Sequence, residues 1–170
     1  MNPSRRDLVV RGRSAWFGGR RFVCAIGRGG KVAEKVEGDG ATPVGCFSLT
    51  GGLWRADRVA RPETPLPMAA TSMLDIWSDD VRDPAYNMFR KEMGAAFGHE
   101  RLRRADRLYD IVLFTDQNTD PVVPGAGSAI FVHVWRRPRR GTEGCVAFAE
   151  ADLRWIIARW RPDSRLMVQA

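Results

Sequence analysis

YDIVLFTDQNTDPVVPGAGSAIFVHV, residues 109–134, holds the most strand-like runs of the chain. Its ends, YDIVLFT (109–115) and SAIFVHV (128–134), are short, rich in β-branched and aromatic residues, and apolar at consecutive positions. Such runs are strands covered on both faces, in the middle of a sheet. Between them DQNTDPVVPGAG is turn chemistry.

Upstream, Leu8–Val10, Ser14–Phe17 and Arg20–Ile26 read as strands, with Gly18-Gly19 as a two-residue hairpin turn. Lys31 to Glu37 reads as another, closed by the turn letters of EGDGATPVG, and CFSLT resumes the β pattern after Pro43 holds Thr42 extended. The proline-rich RPETPLP suits an exposed crossing. NMFRKEMGAAFGHERLRRADR mixes helix formers with glycines, so residues 86–107 are expected to be irregular or to form short helices. Glu150 to Trp160 is the clearest helix. Leu153, Ile156, Ile157 and Trp160 make one apolar stripe, Glu150 and Asp152 sit in the first turn, and Pro162 stops it. RLMV, residues 165–168, suggests a closing strand. The expected fold is mostly β, sandwich or barrel-like, with one C-terminal amphipathic helix. A chain of 170 residues fits one domain, 1–170, with its core over about 8–168.

The net charge of +7 comes mostly from arginine, with lysine only at Lys31, Lys35 and Lys91. It favours anionic partners, although arginine enrichment also follows codon usage. Nucleic-acid readout is not expected, because no recognition-helix or aromatic-basic motif is present. Cys24, Cys46 and Cys145 lie far apart with no CxxC pair or Cys/His cluster, so no metal and no cofactor is expected. One disulfide or three reduced thiols are both allowed. MNPSRRDLVVRGRSAWF lacks the apolar run of a signal peptide, and no stretch approaches transmembrane length.

His133 falls on the same strand face as Phe131, opposite Val132 and Val134. A lone histidine there is usually structural, and a lone Cys145 is usually a buried apolar thiol. Together they read differently. Eleven residues separate them, enough for a strand to leave, form the loop WRRPRRGTEG and return beside its own end. That brings imidazole and thiol within reach, as activating a sulfur nucleophile requires. Gly144 lets backbone approach the sulfur, and the amides of Glu143, Gly144 and Cys145 can converge on an oxyanion. The arginines of the loop, Arg136, Arg137, Arg139 and Arg140, either rim the site, favouring thiolate and attracting acidic peptides, or form a solvated edge. Trp135 reads as a core cap more than a substrate contact, His99 as a surface residue, and Cys24 and Cys46 as inert core thiols. GRGGK (27–31) reads as a turn, and Asn118 and Asp120 as supports in the loop entering the His133 strand.

IFVHV followed by GTEGCVAF resembles the signature of the L,D-transpeptidase (YkuD-like) catalytic domain, a histidine, a loop, then Ser/Thr-His-Gly-Cys. EGDGATPVGCFSLT resembles the family's DG-x-TP-x-G-x-F hairpin, and the likeness runs from about Leu8 to Val168. The resemblance implies Cys145 as nucleophile, His133 as proton acceptor and donor, and the Val134 carbonyl as the group orienting the imidazole. It also implies an oxyanion hole from the Glu143, Gly144 and Cys145 amides. The implied reaction is two-step acyl transfer in cell wall biogenesis and cell shape. The thiolate attacks the carbonyl before a terminal D-alanine of a peptidoglycan stem peptide, and an acceptor amine resolves the thioester. Resolution by water would make it a carboxypeptidase or amidase. A third expectation is a non-catalytic basic module binding an anionic polymer. The implied substrate points to the periplasm or cell envelope, while the missing signal run points to the cytoplasm if the start is correct and export is absent. This chain departs from the motif in having Glu143 where the family has histidine, and a shorter loop. A carboxylate pointing inward there would raise the thiol pKa.

Overall fold

The computed structural model describes residues 2–170. In chain order the strands are β1 (Leu8–Arg11), β2 (Ser14–Phe17), β3 (Arg20–Val23), β4 (Lys31–Val32), β5 (Thr42–Pro43), β6 (Gly45–Phe47), β7 (Leu49–Trp54) and β8 (Met68–Ala70). They continue as β9 (Asp75–Ser78), β10 (Phe89–Lys91), β11 (His99–Arg101), β12 (Ile111–Thr115), β13 (Phe131–Val134), β14 (Val146–Phe148), and, after helix α1 (Glu150–Ile157), β15 (Leu166–Val168). Two five-stranded sheets carry the architecture, ordered β3-β2-β1-β15-β6 and β14-β13-β12-β7-β8. The Gly18-Gly19 turn joins β2 to β3 in the expected hairpin, both glycines having positive φ.

The consecutive apolar letters of β12 and β13 follow from cover on both sides. Ile111, Leu113, Val132 and Val134 enter the main core with Leu8, Val10 and Phe17 of the first sheet and Leu153, Ile156 and Ile157 of α1. Val112 and Phe131 face the other way, into a second cluster with Trp77, Leu102, Tyr109 and Cys145. That second face lies under a three-stranded sheet, β10-β9-β11. The central position expected for residues 109–134 is what the structure has.

Three expectations need correction. First, residues 86–107 contain two strands, β10 and β11, both pairing with β9. Among the described residues α1 is the only helix, so the short irregular helices are absent. Pairing with β9 on its two sides holds Phe89–Lys91 and His99–Arg101 extended, so tertiary contact rather than local propensity decides their conformation. Second, α1 ends at Ile157. Its last turn tightens, with the amides of Arg159 and Trp160 donating to the carbonyls three residues back. Trp160 still completes the apolar stripe, stacked on Phe17 with centroids 5.6 Å apart. Third, only Lys31–Val32 of the 31–37 run is strand. Asp39 captures the amides of Val36 and Ala41 and folds the remainder into a turn. Among the described residues no helix is long and apolar enough to cross a membrane.

Candidate active site

β13 delivers His133 and the turn before β14 delivers Cys145, and the two strands run parallel with Val132 beside Val146. Strand alternation, set by valines packing into the main core, turns His133 away from that core, as the sequence requires. Both side chains open on one cavity of about 700 Å³. The imidazole Nδ1 lies 2.8 Å from the Val134 carbonyl oxygen. A carbonyl only accepts, so Nδ1 carries the hydrogen and Nε2 is left as the basic nitrogen. The Tyr109 ring stands edge-on to the imidazole, centroids 5.2 Å apart.

The sulfur rests on backbone. It donates to the Ala129 carbonyl at 3.2 Å and accepts from the Phe131 amide at 3.3 Å. Among the described residues no hydrogen bond joins it to His133, so the two share a cavity in a resting arrangement. Ala129 holds its carbonyl there in a left-handed conformation, φ 51°, fixed by its amide donating to Asn87 Oδ1.

Burial pushes the Cys145 thiol up to about 12, and the Glu100 charge adds to this, while the Phe131 amide and Lys35 oppose it. Burial likewise lowers His133 to about 4, against the backbone carbonyls of Val134 and Leu108, which favour the protonated ring. Thiol and imidazole are therefore both neutral at pH 7. The thiolate expected from the loop arginines is not the resting state, because loss of solvent outweighs the nearby cations.

The Thr-Glu-Gly-Cys turn is built around Thr142. Its hydroxyl donates to the Cys145 carbonyl at 2.6 Å and accepts from the Gly144 amide at 3.2 Å. Its own amide and carbonyl bridge to Ile26 and Arg28, the turn read in GRGGK. Gly144, at φ 141°, lies against the Ala41 carbonyl of the GDGATP segment, where an added Cβ would meet that oxygen at 2.9 Å. The two family-like motifs are thus packed on each other. Gly144→Ala is expected to cost about 2 kcal/mol or more, from strain plus backbone collision. A urea unfolding midpoint measures it.

The Gly144 amide is engaged by Thr142, so of the three expected oxyanion donors Glu143 and Cys145 are the ones without an acceptor among the described residues. Glu143 turns outward. Its side chain is 74% exposed and pairs with Arg28 at 2.9 Å, so it does not crowd the thiol.

Of the four loop arginines, Arg136 and Arg140 line the cavity. Arg137 and Arg139 are exposed outside its lining, because the loop turns at Arg139 (φ 60°). Trp135, expected in the core, is half-buried on the cavity wall, since β13 ends at Val134 and its alternation stops. His99 is likewise on the wall, because it lies in strand β11 and not on a surface helix. Cys46 is exposed where a core thiol was expected, being on the outward face of β6; Cys24 is fully buried, and all three cysteines are free. Asn118 shapes its loop by bonding Val123 and Gly127, and Asn87 clamps that loop through the Gln117 and Asn118 carbonyls. Asp120 is exposed and not in the lining.

Sequence reading missed Glu100, Tyr109 and Arg101, all on the cavity wall. Tyr109 stood at the head of a recognised strand; nothing local marked Glu100, whose neighbours in sequence read as surface. Among the described residues no three His, Cys, Asp or Glu side chains are grouped to hold a metal.

These features define a class: a mostly β protein with an imidazole from one strand and a thiol from the turn entering its neighbour, opening on one polar cavity. The family model of the L,D-transpeptidase catalytic domain, YkuD, matches residues 2–168, and the chain belongs to that family. The family carries L,D-transpeptidase-type cell wall chemistry and acts on peptidoglycan peptides. No curated protein and no solved structure matches the chain.

Proposed function

We propose that this protein is a cysteine acyltransferase acting on peptidoglycan stem peptides, with Cys145 as nucleophile and His133 as its base. The observation that carries the reading is the imidazole, fixed through Nδ1 on the Val134 carbonyl, sharing one cavity with a thiol on a glycine turn. Attack requires the sulfur to rotate from the Ala129 carbonyl toward Nε2, which takes the thiol proton as sulfur bonds to the carbonyl carbon. The Glu143 and Cys145 amides receive the developing oxyanion. His133 returns the proton to the departing D-alanine nitrogen, leaving a thioester on Cys145. An amine then attacks the thioester and an amide forms.

Arg101 and Arg140 line the cavity and pair with no carboxylate among the described residues. They are the groups free to bind the carboxylates of an acidic stem peptide. The domain acts as one unit in this reading, residues 1–170.

Incubation with a purified stem tetrapeptide tests it. Intact-protein mass spectrometry is expected to show an adduct on Cys145 equal to the peptide less D-alanine, and an added amine is expected to give the cross-linked product. Absence of both adduct and D-alanine release ends the proposal; adduct that yields only free acid makes water the acceptor.

A further inference from the structure

Glu100 is a carboxylate inside the cavity that the acylation step does not use. It stands on β11, in the wall of the cavity that Cys145 also lines, with its side chain a quarter exposed. Its Oε1 accepts the Tyr109 hydroxyl at 2.6 Å, and the Tyr109 ring stands against His133. One phenol therefore separates this carboxylate from the imidazole. Arg104 does not neutralise it tightly: that guanidinium is engaged by both oxygens of Asp106 at 2.9 Å and lies 3.5 Å from Oε1. Oε2 has no protein partner among the described residues, and Glu100 lines the cavity.

The second half of the reaction needs such a group. A primary ammonium has no lone pair, and near neutral pH almost all of an alkylamine acceptor is in that form. It must lose one proton before it can attack. His133 carries the nitrogen's other proton to the departing sulfur, so this first proton needs a second acceptor.

We infer that Glu100 is the receptor for the ammonium of the acyl acceptor and takes the proton that frees its nitrogen. This rests on the acyltransfer reading above. The ammonium binds Oε2, Glu100 accepts one proton, and the freed amine forms a bond to the thioester carbon. The nitrogen's second proton passes through His133 to sulfur as the carbon–sulfur bond breaks. The products are the amide, the Cys145 thiol and one proton that Glu100 releases to solvent, so atoms and charge balance. Burial raises the Glu100 carboxyl above its usual range, which makes it a better base than an exposed glutamate.

Glu100→Gln tests this, because the amide oxygen still accepts from Tyr109 and the shape is kept. Thioester formation, read by D-alanine release without acceptor, is expected to stay within about twofold, while amine transfer falls about 100-fold. Transfer to hydroxylamine, which is largely unprotonated at neutral pH, is expected to be kept. Loss of acylation in parallel with transfer, an increase in donor KM alone, or equal loss with hydroxylamine overturns the inference. A thermal melt of the variant separates misfolding from these results, and Glu100→Asp, which keeps the charge, is then expected to restore part of the transfer. If the unsubstituted protein forms no thioester, it is the acyltransfer reading that fails, and the inference with it.

Discussion

Cys145→Ser is expected to lower D-alanine release from a stem tetrapeptide by about 10⁴-fold or more, with little change in melting temperature. The sulfur supplies the bond-forming electron pair in the proposed reaction, and no other thiol opens on the cavity: Cys24 is fully buried in the main core and Cys46 is exposed on the first sheet. Removing one member of a nucleophile–base unit typically forfeits nearly all that the unit contributes. Serine is the informative replacement. Its hydroxyl can still accept from the Phe131 amide and donate to the Ala129 carbonyl, so no buried amide is left unpaired. A variant that keeps D-alanine release within tenfold would exclude the Cys145 sulfur as the required nucleophile.

The second large effect concerns His133 and acid. In the folded protein burial holds its pKa near 4, against an ordinary value of 6.5. The folded state therefore binds fewer protons at this site than the unfolded chain between those values. Stability from keeping the ring neutral is fully present above pH 6.5 and is lost as pH falls from 6.5 to 4. The imidazole is 3% exposed, and the shift corresponds to about 3 kcal/mol at its limit. His133→Gln removes the titration. Between pH 7.5 and pH 4, its unfolding free energy is expected to fall by about 3 kcal/mol less than that of the unsubstituted protein. Comparing the two proteins is essential, because other groups titrate in this range. Arg104 holds Asp106 down to about 2 and the charge-paired Asp7 and Asp75 also lie low, so all three lose stability in acid, whereas the raised Glu100 and Asp79 gain. Urea titrations at the two pH values measure the difference; equal acid sensitivity would show that the ring is not held neutral. The same substitution is expected to slow acylation by about 10²–10⁴-fold, as loss of a general base does.

Alternation and turn chemistry explain why so much of the scaffold could be read from letters. Val132 and Val134 on one side and Phe131 and His133 on the other follow from the two-residue period of a strand, whatever packs on each face. Gly18-Gly19, the apolar stripe of α1 and Pro162 are equally local signals. The 86–107 segment misled because its strands are three residues each and exist through pairing with β9 residues 12 to 25 positions away, a contact that leaves no period in the sequence. Glu100 was invisible for the same reason. Among arginines it looks like a solvated charge, and only the pairing of β11 with β9 carries it to the thiol.

The sequence by itself determined that the chain is mostly β, that His133 and Cys145 stand on neighbouring segments, and that a glycine turn precedes the sulfur. These depend on spacing, side-chain period and backbone freedom, which are properties of short stretches. Tertiary structure alone decided the electrical state of the pair and the composition of the wall around it. Burial, contributed by residues from distant parts of the chain, keeps thiol and imidazole neutral, while Arg28 holds Glu143 outward and strand pairing brings Glu100 and Tyr109 into the same wall. Desolvation and proximity are sums over the whole fold, and no short stretch of sequence contains them.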